Sequence, residues 1–171
     1  MKKFFKQYGP LLLIVPVILV LDQVTKAIVR ANIPYGSVWM PLDWLRPFLK
    51  FVYIHNTGAA FGLFQNGGLV FGTMAVLVSG FIIYYYPQIP QEEKLMRVAL
   101  ALQMAGALGN LIDRIRFGQV TDFVSVGNFP VFNVADSCIT IGVGLLILAM
   151  WLLERKEKRE QAAAEPVDEQ A

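Results

Sequence analysis

The sequence predicts an all-α membrane protein: four transmembrane helices with a small extracytoplasmic β element and a short interfacial segment. Three observations carry that reading. Of 171 residues, 56% are hydrophobic and 16% charged, against roughly 45–50% apolar and about 25% charged in soluble domains. With a mean hydropathy of +0.51, a single soluble core of this size would leave large apolar patches in water. The apolar residues gather in four runs of membrane-spanning length, about 8–29, 68–86, 95–112 and 134–153. Lysine and arginine are unevenly divided between the two ends of those runs.

The first run follows Lys2, Lys3 and Lys6, which resembles the start of a secretory signal. No small-x-small cleavage site follows before Asp22, so the segment reads as an uncleaved span, interrupted by Pro16, Asp22 and Lys26. After it, Phe48–His55 is rich in aromatic and β-branched residues and closes on Asn56-Thr57-Gly58, the signature of a short strand or hairpin. Gly58–Phe64 reads as an interfacial segment, with Phe61 and Phe64 reaching the headgroups. The second run has no charge, and at about 1.5 Å per residue it measures roughly 28 Å, enough to cross a hydrocarbon core. Gly72, Ala75 and Ser79 in this run, and Ala101, Ala105 and Gly109 in the third, recur at the spacing that lets helices approach closely. Val120–Val126 is a second candidate strand. The fourth run carries one charge, Asp136, near its start. Residues 1–153 thus form one four-span domain. Residues 154–171 make a charged cytoplasmic tail, which from about Gln161 is mostly Ala, Glu, Pro and Gln and is expected to be disordered.

Orientation follows from the flanking cations. Lys2, Lys3, Lys6, Lys94, Arg97, Arg155, Lys156, Lys158 and Arg159 lie on one side, and Arg30, Arg46, Lys50, Arg114 and Arg116 on the other. Both termini are therefore predicted to be cytoplasmic, with the connections 30–67 and 113–133 outside and the Pro87–Lys94 turn inside. A net charge of +2, with the cations scattered, gives no field suited to nucleic acid. One cysteine, Cys138, and one histidine, His55, can build neither an internal disulfide nor a Cys/His zinc cluster. The carboxylates lack the spacing of a known oxygen-ligand loop, so no metal or other cofactor is expected.

With this orientation the polar residues converge. Asp22 falls in the outer part of the first span, Asn110, Asp113 and Arg114 at the outer end of the third, and Asp136 at the outer start of the fourth. Asp122 and Asn133 lie in the outer loop between the last two spans. An ionisable residue in a membrane costs about 2.5–3.5 kcal/mol on insertion scales and so points to function. Asp22 and Lys26 stand at i, i+4, and either neutralise each other or face substrate. Asn110 and Arg114 share that spacing and can point into one cavity; Asn133 and Asp136 do so at i, i+3 if the fourth helix starts early.

Asp122 and Asp136 are the pair best suited to chemistry. They are fourteen positions apart with Pro130 between them, and a returning loop could bring them together. Two carboxylates in contact share a proton, which lets one act as base and the other as acid. The alternative is that they cap a strand end and the N-terminus of the fourth helix. A Ser125 or Ser137 nucleophile with Lys26, and a Cys138–His55 thiol pair, are weaker options. Cys138 falls inside an apolar run, and a lone histidine beside an aromatic strand is more often a surface residue.

Five motifs in order, Asp22-Gln-Val-Thr-Lys26, Asn56-Thr-Gly-Ala-Ala-Phe61, Gly106-Ala-Leu-Gly-Asn110-Leu-Ile-Asp-Arg114, Gly118-Gln-Val-Thr-Asp122-Phe123 and Phe132-Asn-Val-Ala-Asp136-Ser137, resemble those of bacterial lipoprotein signal peptidase, or signal peptidase II. The resemblance spans about residues 22–137. It implies four transmembrane helices with a small extracytoplasmic β-sheet cradle and a short interfacial helix. It also implies a multi-pass aspartic endopeptidase of the bacterial plasma (inner) membrane, acting near the extracytoplasmic face as a monomer among membrane lipids. Its substrates would be diacylglyceryl prolipoproteins, cut N-terminal to the lipidated cysteine. Carried over by motif, Asp122 and Asp136 are the catalytic pair. Asn56, Gly58, Asn110, Arg114 and Asn133 shape the site and hold substrate, and Asp22 and Lys26 support it. Two features depart from the family pattern: a short Asp122–Asp136 connection, and Ala105 where the first glycine of a Gly-Gly-Ala-x-Gly-Asn run usually stands. A proton or cation transporter would place polar residues along the whole crossing, yet the inner halves of these spans are nearly free of them. A docking protein would tolerate loss of the acids.

Overall fold

The computed structural model describes residues 2–58 and 67–164, with side chains except at 2–4, 6 and 162–164. Helix α1 (Lys2–Asn32) passes through Pro10 and Pro16 without ending; prolines are tolerated in membrane helices because neighbouring groups take up the freed carbonyls. Helix α2 (Gly68–Tyr85) ends in a single 3-10 turn at Tyr86–Gln88, and α3 (Lys94–Phe117) and α4 (Val134–Ala164) follow. All four contain segments long and apolar enough to cross a membrane, Gln7–Asn32, Gly68–Gln88, Lys94–Phe117 and Val134–Gln161. The chain is a multi-pass membrane protein. Lipid-facing residues such as Val17, Val20, Val24 and Ile28 stay exposed along α1.

Helix α3 is the centre of the bundle: α1, α2 and α4 each pack on it. Small residues make this possible. A Cβ added at Gly106 would stand 2.3 Å from the Ala135 carbonyl oxygen, so α3 and α4 touch backbone to backbone there. A Cβ at Gly109 would stand 2.8 Å from Asp22 Oδ2, so that glycine leaves room for a carboxylate. Ala75 and Ser79 of α2 and Ala101 and Ala105 of α3 are buried, as their spacing predicts. At the end that holds the chain termini, Leu11, Val15, Ile82, Tyr86 and Met104 form an apolar cluster. Arg97 is 2% exposed there. It donates to the carbonyls of Tyr86 at 3.3 Å, Ile89 at 2.9 Å and Gln7, which ties α1 to the α2–α3 turn.

The opposite end carries an antiparallel sheet in the order β1 (Val38–Trp39), β2 (Leu49–Asn56), β3 (Val120–Val126). β2 and β3 pair through Leu49↔Val126, Phe51↔Val124, Ile54↔Asp122 and Asn56↔Val120, with an irregularity between Phe51 and Ile54. Val29 of α1, Ile33 just past its end and Phe123 of β3 form the cluster that seats the sheet on the bundle. Alternation along β3 then turns Asp122 to the other face from Phe123.

The four spans and both longer strands stand where the sequence predicts them. β1 was not expected: two residues are too short to show an alternating pattern. Helix α3 continues beyond 112 to Phe117, which keeps Arg114 helical. Helix α4 continues through the expected tail to Ala164. An existing helix extends without a nucleation cost, the added residues are mostly good helix formers, and Lys158 pairs with Glu154 at 2.5 Å. The expected interfacial segment beyond Gly58 and the tail beyond Ala164 lie outside the described residues.

Candidate active site

Polar side chains from α1, α3, α4, β2 and β3 meet at the sheet end of the bundle. Asp122 is 1% exposed. Its Oδ1 accepts from Asn133 Nδ2 at 2.7 Å and its Oδ2 from Asn56 Nδ2 at 2.9 Å. Asp136 lies in the first turn of α4; its Oδ1 accepts from Asn110 Nδ2 at 2.7 Å and its Oδ2 from the Asn133 backbone N–H at 3.2 Å. Asn133 therefore holds both carboxylates, one with its amide and the other with its main chain. Its own Oδ1 accepts the Asp136 N–H at 2.9 Å, closing a reciprocal cap on α4. Helix capping and carboxylate convergence, alternatives in the sequence, are here the same contacts.

Behind this pair, Lys26 Nζ donates to Asn110 Oδ1 at 3.0 Å and lies 2.9 Å from Asp22 Oδ2 and 3.3 Å from Asp113 Oδ2, all three ionic side chains being fully buried. Asp22 Oδ1 accepts the Ala135 N–H at 3.0 Å, and Asp113 Oδ2 accepts the Thr121 N–H at 2.9 Å. These bonds fix α4 just before Asp136 and β3 just before Asp122. Gln23 Nε2 bridges Asp22 and Asp113, each at 3.1 Å, and Arg30 donates to Thr121 Oγ1 at 2.9 Å. Arg114 donates to the carbonyls of Gly58 at 3.3 Å and Asn110 at 3.4 Å, and its guanidinium lies 5.4 Å from the Phe71 ring centre. Gly58 N–H in turn donates to Asn56 Oδ1 at 3.0 Å.

The charges constrain the chemistry. Four carboxylates (Asp22, Asp113, Asp122, Asp136) face three cations (Lys26, Arg30, Arg114), so one added proton makes the cluster neutral, and burying net charge is expensive. Burial first, and then the negative charge of Asp136, push the Asp122 carboxyl up to about 7, against the opposing hydrogen bonds of Asn56 and Asn133 and the charge of Lys26. Near neutral pH the Asp122 carboxyl is therefore partly protonated beside the charge of Asp136. Such a pair can deprotonate a water with one member and polarise a carbonyl with the other.

The family described as Signal peptidase (SPase) II matches residues 14–152. A protein named lipoprotein signal peptidase from Symbiobacterium thermophilum is 46% identical over 144 residues, which cover 82% of this chain and 93% of that protein. Another of the same name, from Moorella thermoacetica, is 41% identical over 151 residues, covering 88% of this chain and 99% of its own. The chain belongs to the signal peptidase II family. A solved structure described as a bacterial membrane enzyme matches with a TM-score of 0.80 at 33% identity, over 94% of this chain and 95% of that one. Membership makes the chain an enzyme of the aspartic peptidase class.

Asp122, Asp136, Asn56, Gly58, Asn110, Arg114 and Asn133 come together as the sequence predicts. Asp22 and Lys26 do not face a substrate: they form the buried ion pair, and of the two only Lys26 reaches the cluster in front, through Asn110. Neither a Ser137–Lys26 nor a Cys138–His55 contact is formed among the described residues. Among the described residues, Lys26 is held by Asp22, Asp113 and Asn110, and Ser137 Oγ donates to the Asn133 carbonyl at 3.0 Å. His55 is engaged by Tyr53 at 2.7 Å and Gln119 at 2.8 Å on the sheet, whereas Cys138 is buried in α4. Sequence reasoning missed Gln23, Arg30 and Thr121, and placed Asp113 in the polar convergence without a role. The signal available was that Gln23, Thr121 and Asp113 stand inside the motifs, one or three residues from a named site residue.

Proposed function

We propose that the chain removes the signal peptide from diacylglyceryl-modified prolipoproteins, hydrolysing the peptide bond N-terminal to the lipidated cysteine, with Asp122 and Asp136 as the catalytic pair. The observation that carries this reading is the single residue, Asn133, bonded to two carboxylates, the buried Asp122 and the half-buried Asp136, in a cluster one proton short of neutrality. The relatives named lipoprotein signal peptidase support the substrate class.

The ionised aspartate takes a proton from water, whose oxygen attacks the scissile carbonyl carbon, while the protonated aspartate donates to the carbonyl oxygen. The resulting diol collapses: the first aspartate passes its proton to the leaving nitrogen, the second recovers one from a diol hydroxyl, and the C–N bond breaks. The pair returns to its one-proton state. Asn56, Asn110 and Asn133 orient the carboxylates, and Arg114, whose buried Nε has no partner among the described residues, is the donor available to a substrate carbonyl or developing oxyanion. Gly58 seats Arg114, and Asp22 and Lys26 hold the site from behind. A peptide bond inside a helix is shielded, so the substrate is extended at the cut, where the sheet offers a place for strand addition.

The cation bias supports cytoplasmic termini and a site near the extracytoplasmic face. A monomer suffices, because one chain supplies both aspartates, and residues 1–153 act as one domain. The test is the purified chain with a lipidated and an unlipidated prolipoprotein. Wild type cleaves the lipidated form faster, and Asp122→Asn and Asp136→Asn each lose on the order of 10²–10⁴ in rate while still folding. Near-normal turnover by either variant removes that residue from the pair, and a rate abolished by thiol reagents would point to Cys138 instead.

A further inference from the structure

Helix α4 runs on to Ala164, and in its last turns the charges are sorted by face. At about 100° per residue, Lys158, Arg155, Arg159 and Lys156 fall in one sector of roughly 160°, whereas Glu154, Glu157 and Glu160 fall in the remainder. Trp151 and Leu152 stand one turn earlier inside the cationic sector, exposed like the four cations. The Arg155 guanidinium lies 4.0 Å from the Trp151 ring centre, a cation–π contact that keeps charge and ring on one face. Trp151, Leu152, Arg155, Lys156, Arg159 and, at the edge, Glu160 line a groove of about 400 Å³. Lys158 is held by Glu154, but among the described residues Arg155, Lys156 and Arg159 have no carboxylate partner. About twenty helical residues, roughly 30 Å, cross a hydrocarbon core, so a span that starts at Asp136 reaches the far boundary near Lys156. Trp151 then lies just inside that boundary, where interfacial aromatics gather, and the cations lie at the level of the headgroups.

We infer that this groove binds an anionic phospholipid of the surrounding leaflet, its phosphate held by Arg155, Lys156 and Arg159 and the first carbons of an acyl chain lying against Trp151 and Leu152. Charge and place together set the occupant. Three cations without carboxylates attract an anion, and basic clusters next to a span draw anionic headgroups. The apolar side chains directly beneath them call for hydrocarbon attached to that anion, which a nucleic acid does not supply. A phospholipid already stands at that depth with both parts in the right order. The groove lies at the end of the bundle away from Asp122 and Asp136, so it serves binding and not hydrolysis.

The experiment uses the full chain carrying Trp39→Phe and Trp44→Phe, which leaves Trp151 as the one remaining tryptophan of three, in phosphatidylcholine vesicles. Phosphatidylglycerol with brominated chains is titrated in, and phosphatidylcholine with the same chains in a parallel series. Bromine quenches the indole, so the signal reports a lipid chain at Trp151 and not free phosphate. Half-maximal quenching is expected at an about three- to tenfold lower mole fraction of the anionic lipid, a preference that shrinks as salt is raised. Arg155→Gln with Arg159→Gln should abolish the preference. Lys2→Gln with Lys94→Gln, the same change of charge at the same end of the bundle, should leave it. Both arginines are exposed, so the fold is kept, and an unchanged melting midpoint checks this. Equal quenching by the two lipids, or equal loss in both pairs of variants, overturns the inference. So does a preference that arises only once residues 165–171, with Glu165, Asp168 and Glu169, are removed, because the chain's own acidic end then fills the groove.

Discussion

Asn133 is placed by a helix cap and used by a carboxylate pair, and this double duty couples the charge of Asp122 to the position of Asp136. With its carboxyl pushed up to about 7, Asp122 holds a proton more tightly when the protein is folded than when it is unfolded, where its pKa is about 3.9. The stability linked to that proton is therefore fully present below about pH 4 and is lost as pH rises through about 7, by about 1.4 kcal/mol per pH unit within the window. Thermal unfolding in detergent should show Asp122→Asn raising the melting midpoint more at pH 8 than at pH 5; an equal shift at both would mean that Asp122 titrates normally. Cleavage should follow a bell against pH, falling when the shared proton leaves and when a second one arrives. Lys26 poses the opposite case. Lys26→Met strands Asp22 and Asp113, both fully buried, and breaking such a pair costs about 3–5 kcal/mol, or roughly 10 °C in melting midpoint for a chain of this size. An unchanged midpoint would show the network to be dispensable.

At the level of elements, the site depends on how closely α3 and α4 approach, since Asn110 and Asp136 belong to different helices. Gly106→Ala puts a methyl 2.3 Å from a carbonyl oxygen and must push the helices apart, with a loss of about 1–3 kcal/mol and of activity. Gly144→Ala, whose Cβ meets nothing within 4 Å, should be neutral or stabilising by up to about 1 kcal/mol through helix propensity. Measuring both midpoints separates close approach from propensity, and equal effects would deny the tight crossing. The strands divide in the same way. β3 was legible because seven residues allow a pattern, and β2 because its aromatic run ends on a turn; β1 is held by pairing with Val52 and Phe51 and has no pattern of its own.

For the whole molecule, the four antiparallel spans set the termini and the α2–α3 turn at one end and the sheet and aspartates at the other. In a Cys138→Ser background, an impermeant thiol reagent applied to intact cells should label Trp44→Cys and leave Lys158→Cys unlabelled until the membrane is opened. The reverse pattern would invert the orientation and put the site in the cytoplasm.

The division between what was legible and what was not follows the range of the forces. Transfer from water to lipid acts residue by residue, so the sequence by itself determined the membrane, the spans and the residues too costly to be there without a purpose. Hydrogen bonds and ion pairs act over about 3 Å and join positions far apart along the chain, Asn56 to Asp122, Asn110 to Asp136, Asp22 to Ala135. Only the tertiary structure could decide that Asp22 and Lys26 neutralise each other, that Asn133 joins the two acids, and that Gln23, Arg30 and Thr121 complete the network.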